Sequence, residues 1–269
     1  MNKKMNKKIP EFSEEELGTF QAFRRIIQRL RSPDGCPWDR KQTHVSLRPY
    51  LLEESYEVLE SIDNNDISSL SEELGDLWLQ IMLHSQIAEE EGEFKLEDVL
   101  RKINTKLIFR HPHVFGGKDV KAAEEVSFNW QELKGREKPE NSSILSGVPK
   151  EMPALAASQS LQQRAASVGF DWDKLDDVME KLVEEVNELR NAASKSEQES
   201  EFGDILFTLA NIARRMDIEL EAALRQTNAR FTRRFNYIEQ ACHASGADIK
   251  SLTLAEMDSL WNEAKERQE

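Results

Sequence analysis

Apolar residues recur every three or four positions through most of this chain. Leu17, Phe20, Phe23, Ile27 and Leu30 predict one amphipathic helix from Ser13 to Arg31, because a 3.6-residue period puts such positions on one face. Ser13 and Glu16 have capping-box spacing at its start, and Pro33, Asp34 and Gly35 stop it. Pro49 predicts the first turn of a second helix reaching Asp63. Ser69 and Glu72 predict the cap of a third, running to about Glu90, and a fourth covers about Leu96 to Arg110, limited by Pro112. No stretch shows the alternation and hairpin turns of paired strands. The pattern predicts an all-α chain.

The helical pattern also repeats. Trp38-Asp39 returns as Trp172-Asp173, and Glu53-Glu54-x-x-Glu57 as Glu184-Glu185-x-x-Glu188. Glu73-Leu74-Gly75-Asp76 returns as Glu201-Phe202-Gly203-Asp204. Asn104-x-Lys106-x-x-x-Arg110 returns as Asn228-x-Arg230-x-x-x-Arg234, and Trp130-x-x-x-Lys134 as Trp261-x-x-x-Lys265. Elements repeated in one order, with spacing that drifts by a few residues, mark a duplicated unit with loops of different length. We expect two tandem helical-bundle units, residues 1–133 and 154–269. Between them lies a linker, 134–153, that holds Gly135, Pro139, Gly147, Pro149 and Pro153.

The repeated acids carry the chemistry. Glu54 and Glu57 lie on neighbouring turns of one helix face, beside an apolar arc of Leu51, Leu52, Val58, Leu59 and Ile62. Glu73 and Asp76 flank a second arc of Leu70, Leu74, Leu77, Trp78 and Ile81. A short connection favours an antiparallel pair, and packing the arcs together would bring four carboxylates to one edge. Glu185, Glu188, Glu201 and Asp204 would repeat the arrangement. Two charges ~4 Å apart repel by about 4 kcal/mol at an effective dielectric of 20. A hard divalent cation, Mg²⁺, Mn²⁺ or Ca²⁺, relieves that and suits oxygen-only ligands. Gly75 and Gly203 cost helix stability, which suggests close approach of a neighbour or ligand.

Lys106 with Arg110, and Arg230 with Arg234, are cation pairs able to clamp phosphate oxygens. A plain basic surface patch is their alternative. Trp130 and Trp261 would stack on a base, with Lys134 and Lys265 reaching a phosphate, unless the rings are core. His111-Pro112-His113 reads as a loop, and Gly116-Gly117-Lys118 lacks the rest of a phosphate-binding loop. Cys36 and Cys242 have neither metal-site nor disulfide spacing.

A net charge of −14 disfavours nucleic acid polymers and anionic membranes as partners. It leaves room for a small polyphosphate bridged by cations. The basic start, Met1 to Lys8, is followed by no apolar segment, so a reducing cytoplasm is expected. No Glu stands three residues before a His, which argues against a di-iron carboxylate bundle. A helical interaction protein with solvated acidic faces, and a narrower hydrolase such as one specific for dUTP, stay open.

Five phrases together resemble the MazG family of nucleoside triphosphate pyrophosphohydrolases: Gly35-Cys36-Pro37-Trp38-Asp39, Glu53-Glu54-Ser55-Tyr56-Glu57-Val58, Glu72-Glu73-Leu74-Gly75-Asp76-Leu77, Arg110-His111-Pro112-His113-Val114-Phe115 and Val168-Gly169-Phe170-Asp171-Trp172. The resemblance implies hydrolysis of NTPs and dNTPs to the monophosphate and pyrophosphate by a helical dimer using Mg²⁺, with Mn²⁺ as a substitute. It implies metal ligands at Glu54, Glu57, Glu73 and Asp76, and at Glu185, Glu188, Glu201 and Asp204. It places substrate contacts on Lys181, Glu184, Arg230, Arg234 and Trp261, with Arg230 where members often carry Lys. Glu53 or Glu184 would take a proton from water, and Arg230 and Arg234 would stabilise charge on the departing pyrophosphate. A regulatory protein partner is compatible with this reading.

Overall fold

The computed structural model describes residues 12–117 and 143–267. Among them are eleven α-helices and two short 3₁₀ turns, with no strand. The chain divides into two compact units, Met1–Glu137 and Lys138–Glu269.

The first unit contains α1 (Glu14–Leu17), α2 (Phe20–Arg31), α3 (Arg48–Asp63), α4 (Ile67–Glu91), α5 (Leu96–Arg110) and α6 (Pro112–Phe115). The single helix expected from Ser13 to Arg31 is in fact two. The Ser13–Glu16 capping box forms, but Gly18 ends that turn and the Thr19 hydroxyl caps α2 by accepting from Ala22 N–H. A glycine followed by a good N-cap residue outweighs the continuous apolar period. The cap of α4 likewise moves from Ser69 to Asp66, whose carboxylate accepts from the Ser68 and Ser69 N–H groups. Pro49 sits in the first turn of α3, and Gly92, at φ 73°, ends α4.

The core of this unit comprises Ile27, Leu47, Met82, Leu83, Ile87 and Leu96, flanked by Phe20, Phe23, Leu30 and Leu79. It gathers around the second half of α4, leaving the first half of α4 to pair with α3. The expected apolar arcs are only partly covered. Leu51, Val58, Leu59, Leu70 and Leu77 are half-buried, whereas Leu52, Ile62, Leu74, Trp78 and Ile81 are exposed. Two packed helices cannot cover so wide a stripe on each. Arg31 fastens the loop after α2: it donates to the Asp39 and Gln42 carbonyls and pairs with Glu90 at 2.7 Å.

The second unit contains α7 (Ala154–Ala166), α8 (Leu175–Asn191), α9 (Lys195–Arg215), α10 (Leu220–Ser245) and α11 (Leu254–Glu266). Asp177 caps α8 through Lys174 N–H, and full capping boxes start α9 (Ser194, Glu197) and α11 (Thr253, Glu256). Helix α9 packs on α8 and α7, and α11 packs on α10. Val178, Ala210, Ile212 and Ala213 form the buried centre. Gln162 donates to the Phe207 carbonyl at 2.8 Å. Gln159 spans the α9–α10 connection, donating to the Ile218 carbonyl at 2.8 Å and accepting from Leu220 N–H at 3.0 Å. Arg214 and Arg215 hold the loop before α8: Arg214 meets Asp171 at 2.6 Å, and Arg215 donates to the Trp172 carbonyl at 2.6 Å. Among the described residues no helix is long and apolar enough to cross a membrane.

Candidate active site

In each unit the paired helices form an antiparallel hairpin, α3 with α4 and α8 with α9. Glu54 faces Glu73 and Asp76 across the first hairpin, and ligand oxygens of all three lie within 4.8 Å of one another. Glu185, Glu201 and Asp204 form the same group in the second. Both groups are helix-borne, which holds their carboxylates more firmly than a loop would. The fourth acid of each expected set sits at the margin. Glu57 adds to the unfavourable electrostatics at Glu54, and Glu188 feels the charges of Glu185 and Glu201, without either joining the close triplet.

The acids destabilise one another. Partial burial, then the charge of Asp76, then the proximity of Glu57 raise the pKa of Glu54 above its ordinary 4.5. Loss of surrounding water and the charges of Glu57, Glu72 and Asp76 raise Glu73. Desolvation also raises Glu188, against the opposing pull of Lys181. Such strain is what an all-carboxylate site shows when its charge is uncompensated. The donor set therefore fits a hard divalent cation held by Glu54, Glu73 and Asp76, and by Glu185, Glu201 and Asp204.

The flanks of the two clusters differ from expectation in one respect. A Cβ placed on Gly75 or Gly203 would meet nothing within 4 Å. Among the described residues no neighbour therefore requires these glycines, and the space beside them is open.

The expected substrate residues fall in separate groups. Lys181 pairs with Glu184 at 3.0 Å and with Glu185 at 2.8 Å, and these bonds raise its pKa. On α10 and α11, the Arg234 guanidinium lies 5.6 Å over the Trp261 ring, and Phe231 packs on that ring at 5.3 Å. Arg234 Nε is buried without a hydrogen-bond partner, while Arg230 donates to Thr227 at 2.7 Å. No ion pair among the described residues links Arg230, Arg234 or Lys265 to the acids of α8 and α9. Lys106 and Arg110 lie on α5, which packs on α4 and α6. Glu53 is exposed. Trp130 and Lys134 lie outside the described residues.

A third group was not read from the sequence. His44, Glu91 and Glu93 approach within 4.8 Å. His44 Nδ1 lies 2.7 Å from His84 Nδ1, with the rings stacked at 5.0 Å. Burial, then the neighbouring His44, lower the pKa of His84. One ring must therefore be a neutral acceptor. These residues come from two segments, the loop before α3 and the end of α4, and no local spacing announces their meeting.

A duplicated helix hairpin with an acidic cluster at its edge defines a class of all-α, carboxylate-site proteins. The sequence pattern of the MazG nucleotide pyrophosphohydrolase domain matches residues 42–115, and that of phosphoribosyl-ATP pyrophosphohydrolase matches residues 158–231. The nucleoside triphosphate pyrophosphohydrolase/pyrophosphatase MazG of Thermotoga maritima is 42% identical over 247 residues, 91% of this chain and 95% of that protein. A nucleoside triphosphate pyrophosphohydrolase of Escherichia coli is 40% identical over 252 residues, 91% of this chain and 95% of its own. The uncharacterized protein YabN of Bacillus subtilis is 48% identical over 267 residues, 96% of this chain but 54% of that protein. The chain belongs to the MazG family of nucleoside triphosphate pyrophosphohydrolases, as two tandem all-α domains.

Proposed function

We propose that this enzyme cleaves the bond between the α and β phosphates of NTPs and dNTPs, releasing the monophosphate and pyrophosphate. The observation that carries the proposal is the twice-built carboxylate cluster at a hairpin edge. The two matched patterns, both named for pyrophosphohydrolases, support the same bond class. Mg²⁺, or Mn²⁺ in its place, would be held by Glu54, Glu57, Glu73 and Asp76 and by Glu185, Glu188, Glu201 and Asp204. When bound, such an ion supplies Lewis acidity and charge neutralisation at phosphate oxygens.

The chain's own groups do the rest. Lys181, Arg230, Arg234, Lys265, Lys106 and Arg110 would offer cations to the phosphates, and Arg230 and Arg234 would stabilise charge on the leaving pyrophosphate. Trp261 offers a face to the base. Glu53 and Glu184 are the candidate proton acceptors for water. Of these Glu53 is the freer, since Glu184 engages Lys181. Apolar side chains left exposed on α3 and α4 support a homodimer that covers them. The domain limits we assign are 1–133 and 154–269, joined by 134–153. The physiological role we assign is housekeeping or stress-linked control of the nucleotide pool.

The test is product analysis on a panel of NTPs and dNTPs with Mg²⁺, using Glu54→Ala, Glu185→Ala and the double variant. Pyrophosphate release should fall at least a hundredfold in the double variant. Unchanged release in all three would remove the site assignment.

A further inference from the structure

The two acidic clusters use matching positions but differ in one neighbour. In the second unit Lys181 stands four residues before Glu185, and its ammonium lies 2.8 Å from Glu185 Oε1 and 3.0 Å from Glu184 Oε1. In the first unit the residue four before Glu54 is Tyr50. Its ring packs edge-on to Trp38, with centroids 6.0 Å apart. Ion pairs among the described residues of that unit join Arg24, Arg25 and Arg31 to Glu16, Glu89, Glu90 and Glu97. None reaches Glu53, Glu54, Glu57, Glu73 or Asp76 among the described residues.

Burial follows the same division. Glu185 is 5% exposed, and enclosing a carboxylate carries a desolvation cost that a cation in contact offsets. Lys181 is that cation. Glu54 is half-buried, and the charges acting on it are those of Asp76, Glu57 and Glu53.

We propose that Lys181 is a resident counter-ion of the second cluster, so that the two units differ in divalent-cation affinity, the first binding Mg²⁺ or Mn²⁺ more tightly. The inference rests on reading both clusters as cation sites. An ammonium about 5 Å from a divalent ion weakens its binding about tenfold even at the dielectric of water. The first cluster carries no such penalty and has more unrelieved repulsion to lose. One cluster is thus neutralised only by an ion from solution, while the other is partly neutralised by its own helix.

The experiment is Mn²⁺ titration of the full chain, followed by calorimetry and by the electron paramagnetic resonance of free Mn²⁺. Two classes of site are expected. Glu54→Gln should remove the tighter class and Glu185→Gln the weaker one. Lys181→Met should tighten the weaker class about tenfold, and Lys181→Arg, which keeps the charge, should leave it near its original affinity. Tyr50→Lys should loosen the tighter class by a similar factor. Helical content by circular dichroism confirms folding, and Lys181→Met carries the test alone if Tyr50→Lys does not fold. The proposal is overturned if Lys181→Met leaves both classes unchanged, or if Glu185→Gln removes the tighter class. If neither Glu54→Gln nor Glu185→Gln removes any Mn²⁺ site, the cation-site reading itself falls.

Discussion

Replacing Glu54 by Gln should stabilise the metal-free first unit, although most substitutions destabilise. Glu54 lies within 4.8 Å of Glu73 and Asp76. The Glu54–Asp76 repulsion at that distance is ~3.5 kcal/mol at a dielectric of 20 and ~0.9 kcal/mol in water. The cluster borders solvent, so the lower end applies, and about 1 kcal/mol should be recovered. For a unit of this size that raises Tm by about 4 °C. The sign with pH follows from linkage. The pKa of Glu54 is raised in the fold above 4.5, so the folded state binds the proton more readily than the unfolded chain. Stability therefore falls as pH rises from 4.5 through the raised value, and the cost stays in full above it. Glu54→Gln should lose that component. Calorimetric scans in EDTA and in MgCl₂, across pH 4 to 8, provide the assay (roughly the carboxylate range and above). The variant should melt higher than the parent in EDTA and lose most of the Mg²⁺-induced rise. A lower melting point in EDTA, or an undiminished Mg²⁺ response, would refute the reasoning.

Three further outcomes are expected. Arg214→Ala should cost the second unit about 2 kcal/mol, because it breaks a charge-assisted bond to Asp171 from a largely buried guanidinium, as urea denaturation would show. Burial pushes the Asp171 pKa up, but Arg214 and the Trp172 N–H outweigh it and hold it below 3.8; the stabilisation is present above that value and is lost as pH falls through the depressed one. Ile27→Ala, at a side chain 1% exposed, should cost the first unit about 3 kcal/mol through a cavity, with the Mn²⁺ affinity of the second unit unchanged by titration. Arg234→Ala should lower kcat about a hundredfold with little change in Tm; a matching loss of Tm would make the residue structural.

Local signals in the sequence located most of the helices. Ser13–Glu16, Pro49 and Pro112 marked real boundaries because caps and prolines act over three or four residues. Where two local signals competed, the period alone misled. Gly18-Thr19 broke the first helix, and Asp66 took the cap from Ser69. The acidic triplets were readable because duplication exposed them, and their helix spacing fixes which side chains share an edge. The arcs were read too generously: Leu52, Ile62 and Trp78 stay exposed because a hairpin covers a narrower stripe than periodicity implies. The Lys181–Glu185 contact was not read from the sequence, which placed Lys181 only among the substrate residues the resemblance implies; its i, i+4 spacing, and the Tyr50 at the matching position, gain meaning only beside the geometry. The meeting of His44, His84, Glu91 and Glu93 depends on how a loop lies against α4, and no short-range pattern encodes that.

The amide of Gln159 grips the chain on both sides of Glu219, at Ile218 and Leu220, at the root of a 26-residue helix. Arg234 projects from that helix roughly 21 Å beyond its first residue, at 1.5 Å per residue. A swivel of about 3° at the root would carry the guanidinium ~1 Å sideways, a displacement large enough to cost two orders of magnitude in rate where alignment matters. One uncharged side chain thus anchors the root of the helix on which Arg230 and Arg234 are mounted.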